Sequence, residues 1–481
     1  MRTTLALIAG LLLLTPPGAL AQDSRAALET VARALGADGV KSLEYTGSGV
    51  HFLPGQSQTP GQRWPRFNLK TFTRTVNYET GTLRDDRVQT QAEDPPRGGG
   101  VQPVRGDQRQ IFVLSGEHAW NVVGDAAVPT PIAVADRQMQ LWTTPHGVVK
   151  AAFANNATVQ GRLISFKLPN GVPVKATTNA AGLIEKVEAT IPSPVVGDMP
   201  VEVTYLEYRD VAGFGAAKFP MKIRQSVGGF PALDLDVTSV RTNTAPDLPV
   251  PDSVRQAKPY SVVTTQMVAD GVWFVSGGSH NSVAIEMSDH LIVVEAPLND
   301  ERSLAVISEV RSLAPSKPIR YVVASHHHFD HSGGLRAYVG EGVTVMTHDS
   351  ARAYFERVLA APATVQPDHL AKSGRKPTVE SVRDRRVLTD GGRIIELHRI
   401  GGNLHADSML MVYLPKERLL IQADAFTPPP ANTPPPTPPS PFSVNLADNI
   451  SRLGLNVDRL LPLHGRVVPL AELHRVIGRS P

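Results

Sequence analysis

His326, His328, Asp330 and His331 place four side chains with metal-donor atoms inside the segment Ser325-His326-His327-His328-Phe329-Asp330-His331-Ser332-Gly333-Gly334. Side chains alternate along an extended segment, so His326 and His328 face the same way. Asp330 and His331 follow closely enough to face a second ion. His327 points away from that pair, into a supporting layer or toward solvent. Two histidines near each other are commonplace on a protein surface. Four ligand types between an apolar strand and a Gly-Gly turn are not, and the spacing points to a two-metal hydrolytic centre.

The elements around the segment suit that chemistry. Tyr321-Val322-Val323-Ala324 reads as a buried strand, and Gly333-Gly334 as a turn into a helix. Loops at strand ends are where alternating α/β chains place their reactive groups. Apolar periodicity predicts helices over Leu304 to Leu313, Leu335 to Val339 and Ala351 to Leu359. Strands are predicted over Val343 to Met346, Ile394 to His398, Met409 to Tyr413 and Leu419 to Ala423.

The His-His-Asp-His spacing resembles the HxHxDH signature of the metallo-β-lactamase-like hydrolase superfamily, and further elements follow in the family's order. His405 lies in Gly401-Gly402-Asn403-Leu404-His405-Ala406-Asp407-Ser408, Asp424 ends the run Leu419 to Asp424, and His464 follows Leu461-Pro462-Leu463. The resemblance covers about residues 260–475 and implies a site residue by residue. His326, His328 and His405 would bind one ion. Asp330, His331 and His464 would bind a second, and Asp424 would bridge them. It implies an αββα sandwich with the metals along one edge. Two divalent ions, zinc foremost, would activate water to cleave an ester, lactone or related acyl bond. A β-lactam or a phosphodiester is an alternative substrate for the same centre. Asp330 would also orient the nucleophile. The donor set is five histidines and two carboxylates, and the chain has no cysteine, which excludes the cysteine-ligated β-lactamase site. Where the family has a supporting aspartate, Leu291-Ile292-Val293-Val294-Glu295 ends in Glu295, expected behind the metal ligands. His280, in the hairpin bordering the cleft, and Arg466, just after His464, are candidate substrate contacts.

The 481 residues suffice for more than one domain. Residues 1–21 read as a cleaved export signal: Met1-Arg2, an apolar run around Leu5 to Leu14, then an A-x-A ending at Ala21. This predicts a secreted or periplasmic protein without stable membrane insertion. The formal net charge of +3 gives no case for nucleic acid, leaving a small molecule as the expected partner. Residues 22–243 read as a separate domain, beginning with a helix over 22–35 and dominated by antiparallel strands such as the alternating run Val201 to Tyr208. The chain is therefore expected to be a two-domain α+β protein. The sheet loosely resembles the curved half-barrel of lipoprotein carriers, which admits a non-enzymatic lipid- or polypeptide-binding reading. Residues 244–258 read as a linker and 259–481 as the catalytic domain. Within that domain a Pro-rich insert at 427–441, with nine prolines from Pro428 to Pro441, is expected to form a stiff wall beside the cleft.

Overall fold

The structure, a computed structural model, describes residues 17–213, 216–258 and 260–480. The expected export signal falls largely outside them. No helix among the described residues is long and apolar enough to cross a membrane.

The N-terminal half forms a 13-stranded antiparallel sheet. Strand Ser42–Phe52 pairs on one side with Arg66–Asn77 and on the other with the last strand of the domain, Phe230–Thr242. Period-two burial explains the strands: Ile184–Ser193 and Gly197–Asp210 alternate buried and part-exposed residues over most of their length. The apolar face is covered by helices Pro17–Leu35, Val134–Trp142 and Pro145–Ala154. They contribute Leu28, Leu35, Met139, Leu141, Val148 and Val149 to one core with Phe72, Tyr205 and Phe219. Those helices occupy the face on which an open lipid-carrying half-barrel would depend. Thr144 caps the third helix by accepting from the Gly147 amide. A bidentate ion pair, Arg74 to Asp85 at 2.6 Å, is buried in the sheet.

Two buried imidazoles make this domain acid-sensitive. His51, bonded to Gln89 at 2.6 Å, is pushed down to about 3 by burial and then by the Arg87 charge. His146 is pushed down to about 3 by burial, with Lys150 adding to it. In an unfolded chain both take a proton near pH 6.5. Their stabilising contribution is therefore full above that pH and declines as pH falls toward 3. Each should cost about 3 kcal/mol by pH 4. Urea unfolding followed between pH 7 and 4 should show this slope, and His146→Leu should flatten it. An unchanged slope in that variant would remove His146 from the account.

The strand ending at Thr242 and the next, beginning at Thr264, are joined by a segment whose regular element is the short helix Asp252–Arg255. The sequence reading had only a proline-bearing linker there. The helix packs its buried Val254 against Val113 and Trp120 of the sheet domain.

The C-terminal half contains two facing sheets of seven and six strands. Between them lie Phe274, Ile285, Ile292 and Met346 from one sheet and Leu397, Val412, Ile421 and Leu461 from the other. Helices Asp300–Leu313, Leu335–Gly340 and Asp349–Leu359 cover the outside of the first sheet. Helices Pro441–Arg452 and Leu470–Val476 cover the outside of the second. In the first sheet Leu291–Val294 and Ile319–Val323 run parallel, with Val294 opposite Val323. In the second, Leu419–Gln422 and Arg459–Pro462 run parallel, with Gln422 opposite Pro462. The bonds Leu410 N to Ser325 O and Asn281 N to Leu463 O tie the sheets together at that end.

Candidate metal centre

Most of the chemistry-bearing residues sit just past the ends of these strands. Glu295 follows Leu291–Val294, the 326–331 segment follows Ile319–Val323, Asp424 follows Leu419–Gln422, and His464 follows Arg459–Pro462. Glu295 and Asp424 both adopt left-handed backbone, with φ of 81° and 58°. That conformation costs a non-glycine residue about 1–3 kcal/mol and persists only where its surroundings enforce it. Here it turns each carboxylate back toward the strand ends.

Two donor clusters result. The first gathers His326, His328, His405 and Asp424. The Nε2 atoms of His326 and His405 lie 3.4 Å apart, and Asp424 Oδ2 is 3.0 Å from His405 Nε2. The second gathers His280, Asp330, His331 and His464. The Nε2 atoms of His331 and His464 are 3.1 Å apart, and Asp330 Oδ2 is 3.8 Å from His331 Nε2. Asp424 reaches into both clusters. Its Oδ2 is 3.1 Å from His331 Nε2 and its Oδ1 is 3.1 Å from His464 Nε2.

The donors fit divalent ions. Atoms bound at 2.0–2.1 Å around tetrahedral zinc stand roughly 3.3 Å from one another, which is the spacing of the facing imidazole nitrogens. His328 Nδ1 is buried without a hydrogen-bond partner, a costly state for a polar atom unless something else satisfies it. Burial, reinforced by neighbouring imidazoles, holds His326 and His328 well below the usual histidine range, so both are neutral donors. Burial opposes the charge of Asp424, yet His331, His464 and His405 hold its carboxyl well below the usual carboxylate range.

A supporting layer fixes these groups. Glu295 is fully buried; its Oε2 accepts from His331 Nδ1 at 3.0 Å and from the Ser325 hydroxyl, and its Oε1 accepts from the Ser325 amide at 3.3 Å. His327 is buried rather than exposed, held between Ser408 Oγ at 2.7 Å and Ser57 Oγ at 3.2 Å. His280 is no idle loop histidine: its Nε2 is 3.4 Å from Asp330 Oδ2, and its ring centroid is 3.9 Å from that of His464. Burial first, then the His464 and His331 charges, outweighs Asp330 and drives its pKa down to about 4. Arg302 secures that loop by donating to the His280 carbonyl at 3.4 Å. Arg466 lies farther out, donating to the Pro429 carbonyl at 3.3 Å and reaching Glu472 at 3.4 Å. His348 and His398 serve elsewhere, as a helix cap and as a partner of Glu396.

The Pro-rich insert runs from Asp424 toward the helix Pro441–Arg452. Its Pro438 carbonyl contacts Arg105 of the sheet domain, and Phe442 beyond it sets its ring edge-on to His405 at 5.4 Å. Sequence reasoning missed three contributors from the sheet domain: Gln56, Ser57 and Gly99. Gln56 Nε2 donates to Asp330 Oδ1 at 2.8 Å, and the Ser57 carbonyl lies 2.8 Å from His328 Nε2. The Gly98-Gly99-Gly100 run was visible, but its partner was not. A cavity of about 850 Å³, lined by Trp142, Leu168, Asp300 and Asp368 among others, lies between the domains away from both clusters. Converging donors, rather than volume, locate the chemistry.

Comparison with known proteins accords with this geometry. Residues 275–464 match the family model of the metallo-beta-lactamase superfamily. The chain is 24% identical over 205 residues to the 2,4-dinitroanisole O-demethylase subunit alpha of Nocardioides sp. (strain JS1661), covering 42% of this chain and 57% of that protein. It is 29% identical over 98 residues to a linear primary-alkylsulfatase of Pseudomonas sp., covering 20% of this chain and 14% of that one. The chain thus spans little more than half the length of the first relative and a small part of the second. Similar solved structures include metallo-β-lactamases from Pontibacter korlensis (TM-score 0.35, 16% identity, 45% of this chain and 98% of that one) and Hirschia baltica (TM-score 0.35, 19% identity, 46% and 99%). Residues 275–464 of this chain thus resemble the metallo-β-lactamase superfamily, and a separate antiparallel sheet domain lies ahead of them.

Proposed function

We propose that the enzyme hydrolyses an ester, lactone or related acyl bond at a dinuclear zinc centre. The carrying observation is Asp424, whose two oxygens each lie 3.0–3.1 Å from imidazole nitrogens of the two clusters. When bound, the ions supply Lewis acidity that lowers the pKa of water and polarises the scissile carbonyl. His326, His328 and His405 would hold the first ion, and Asp330, His331 and His464 the second. Asp424, within reach of both sets, would be shared between them. Asp330 turns Oδ2 inward, where it would orient the attacking water, while its Oδ1 is engaged by Gln56. His280 sits where a leaving group would depart, beside Asp330 and His464. The Pro-rich insert would wall the first cluster, and the apolar N-terminal run supports a secreted or periplasmic enzyme cut near Ala21.

The test is metal content of the purified protein together with turnover of a panel. The panel holds aryl esters, lactones, a β-lactam and a bis-aryl phosphodiester. The named activities of the two relatives add a nitroaryl ether and a primary alkyl sulfate. About two zincs per chain, and turnover abolished in Asp330→Ala, is the expected result. No metal uptake on reconstitution and no turnover of any class would overturn the proposal. Preference for the ether or the sulfate would keep the centre and replace the acyl substrate.

A further inference from the structure

We propose that the sheet domain completes the metal centre: Gln56 positions Asp330 for the second ion, and the Gly98–Gly100 turn keeps the space of the first ion clear. This rests on the dinuclear reading above and goes beyond it, because these residues lie outside the 275–464 region that defines the superfamily match.

The loop between strands Ser42–Phe52 and Arg66–Asn77 reaches across the domain boundary. The Gly55 carbonyl accepts from the Phe329 amide at 3.2 Å, seating the loop on the signature segment. Gln56 is 7% exposed, and its Nε2 donates to Asp330 Oδ1 at 2.8 Å. Only the amide nitrogen can face a carboxylate oxygen favourably, which sets the orientation of the amide. With Oδ1 engaged, Asp330 presents Oδ2 to the cluster, 3.8 Å from His331 Nε2 and 3.4 Å from His280 Nε2. The next residue acts on the other ion. His328 Nε2 donates to the Ser57 carbonyl at 2.8 Å, which fixes the tautomer and leaves the Nδ1 lone pair facing the first cluster.

The glycine turn is tied to the same loop. Gly99 N donates to the Gln56 carbonyl at 2.9 Å, and Gly98 N to the Leu404 carbonyl, next to His405, at 2.8 Å. A Cβ on Gly99 would stand 2.6 Å from His328 Nδ1 and 2.2 Å from Gln56 Oε1. That position lies against the donor atom itself, on a ring that is buried and hydrogen-bonded and so cannot retreat. Gly99 has no left-handed φ, so the backbone tolerates alanine there. Space is what requires glycine.

The experiment uses the full chain with Gln56→Met, which keeps length and removes the donor, Gln56→Glu, which sets a carboxylate against Asp330, and Gly99→Ala. Affinity for each ion is measured by chelator competition. The second site is followed through the visible spectrum of the cobalt-substituted protein, and folding by thermal unfolding. Expected for Gln56→Met is a folded protein whose second ion binds roughly 10–100-fold more weakly, with an altered cobalt spectrum. Gln56→Glu should be weaker still, a ranking that side-chain volume alone would not produce. Gly99→Ala should hold one ion instead of two. Wild-type affinities and superimposable spectra in both Gln56 variants would overturn the positioning role, and two tightly held ions in Gly99→Ala would overturn the role of the turn. A wild type that binds no metal would overturn the dinuclear reading itself, an outcome distinct from either.

Discussion

Asp424→Asn should lower kcat/KM on the best substrate by about a thousandfold or more, and release at least one ion. In the proposed centre several kcal/mol of transition-state stabilisation would rest on the pair of ions, and Asp424 touches donors of both clusters. Its oxygens lie within 3.1 Å of His331, His405 and His464. Asparagine is the informative substitution because it tolerates the φ of 58° found there. It keeps shape and backbone while removing the charge that balances three imidazoles. Elemental analysis and steady-state kinetics on the same preparation measure both effects. Retention of two ions with turnover within tenfold of wild type would show that the bridging position is not needed.

The second large effect is expected at Glu295. Glu295→Ala should weaken metal binding by roughly 10–100-fold and lower stability by about 1–3 kcal/mol for each buried donor left without an acceptor. Those donors are His331 Nδ1, the Ser325 amide and the Ser325 hydroxyl. Glu295 stands where the family has the shorter aspartate. In this structure a left-handed φ of 81° lets its longer side chain reach His331 and Ser325 together. Glu295→Asp therefore tests the extra methylene: it should keep the charge yet lose one of these contacts, giving an intermediate affinity. Chelator competition and thermal unfolding of both variants are the measurements. Wild-type values for Glu295→Ala would remove the carboxylate from the supporting layer.

The ligand positions were legible because metal binding restricts residue type and fold order restricts spacing. His326, His328, Asp330 and His331 occupy one strand-end loop, and His405, Asp424 and His464 each appear at a later one. The alternating strands of the first domain were legible for a similar reason, since period-two burial is written locally. Strand partners were not: Ser42–Phe52 pairs with a strand about 190 residues later, and periodicity carries no information about partners. Gln56 was hidden more thoroughly. A glutamine in a loop is ordinary, and its partner Asp330 lies 274 positions away. Gly99 carries no local signal of its role, since the space its missing side chain leaves is set by His328 far along the chain. His280 was visible as a histidine after a Gly-Gly-Ser turn, but its place beside Asp330 depends on how the two sheets meet.

The loop that carries Gln56 hangs from a strand whose neighbour, Phe230–Thr242, closes the first sheet only after the rest of that domain exists. His464 arrives later still. A fragment without the first domain would keep all the candidate ligands yet lose the contacts of Gln56 with Asp330 and of Ser57 with His328. Metal binding in the proposed centre would then draw on both domains, and part of its free energy would appear as folding free energy. A chelator should then act on this protein as a mild denaturant of the contact between its halves.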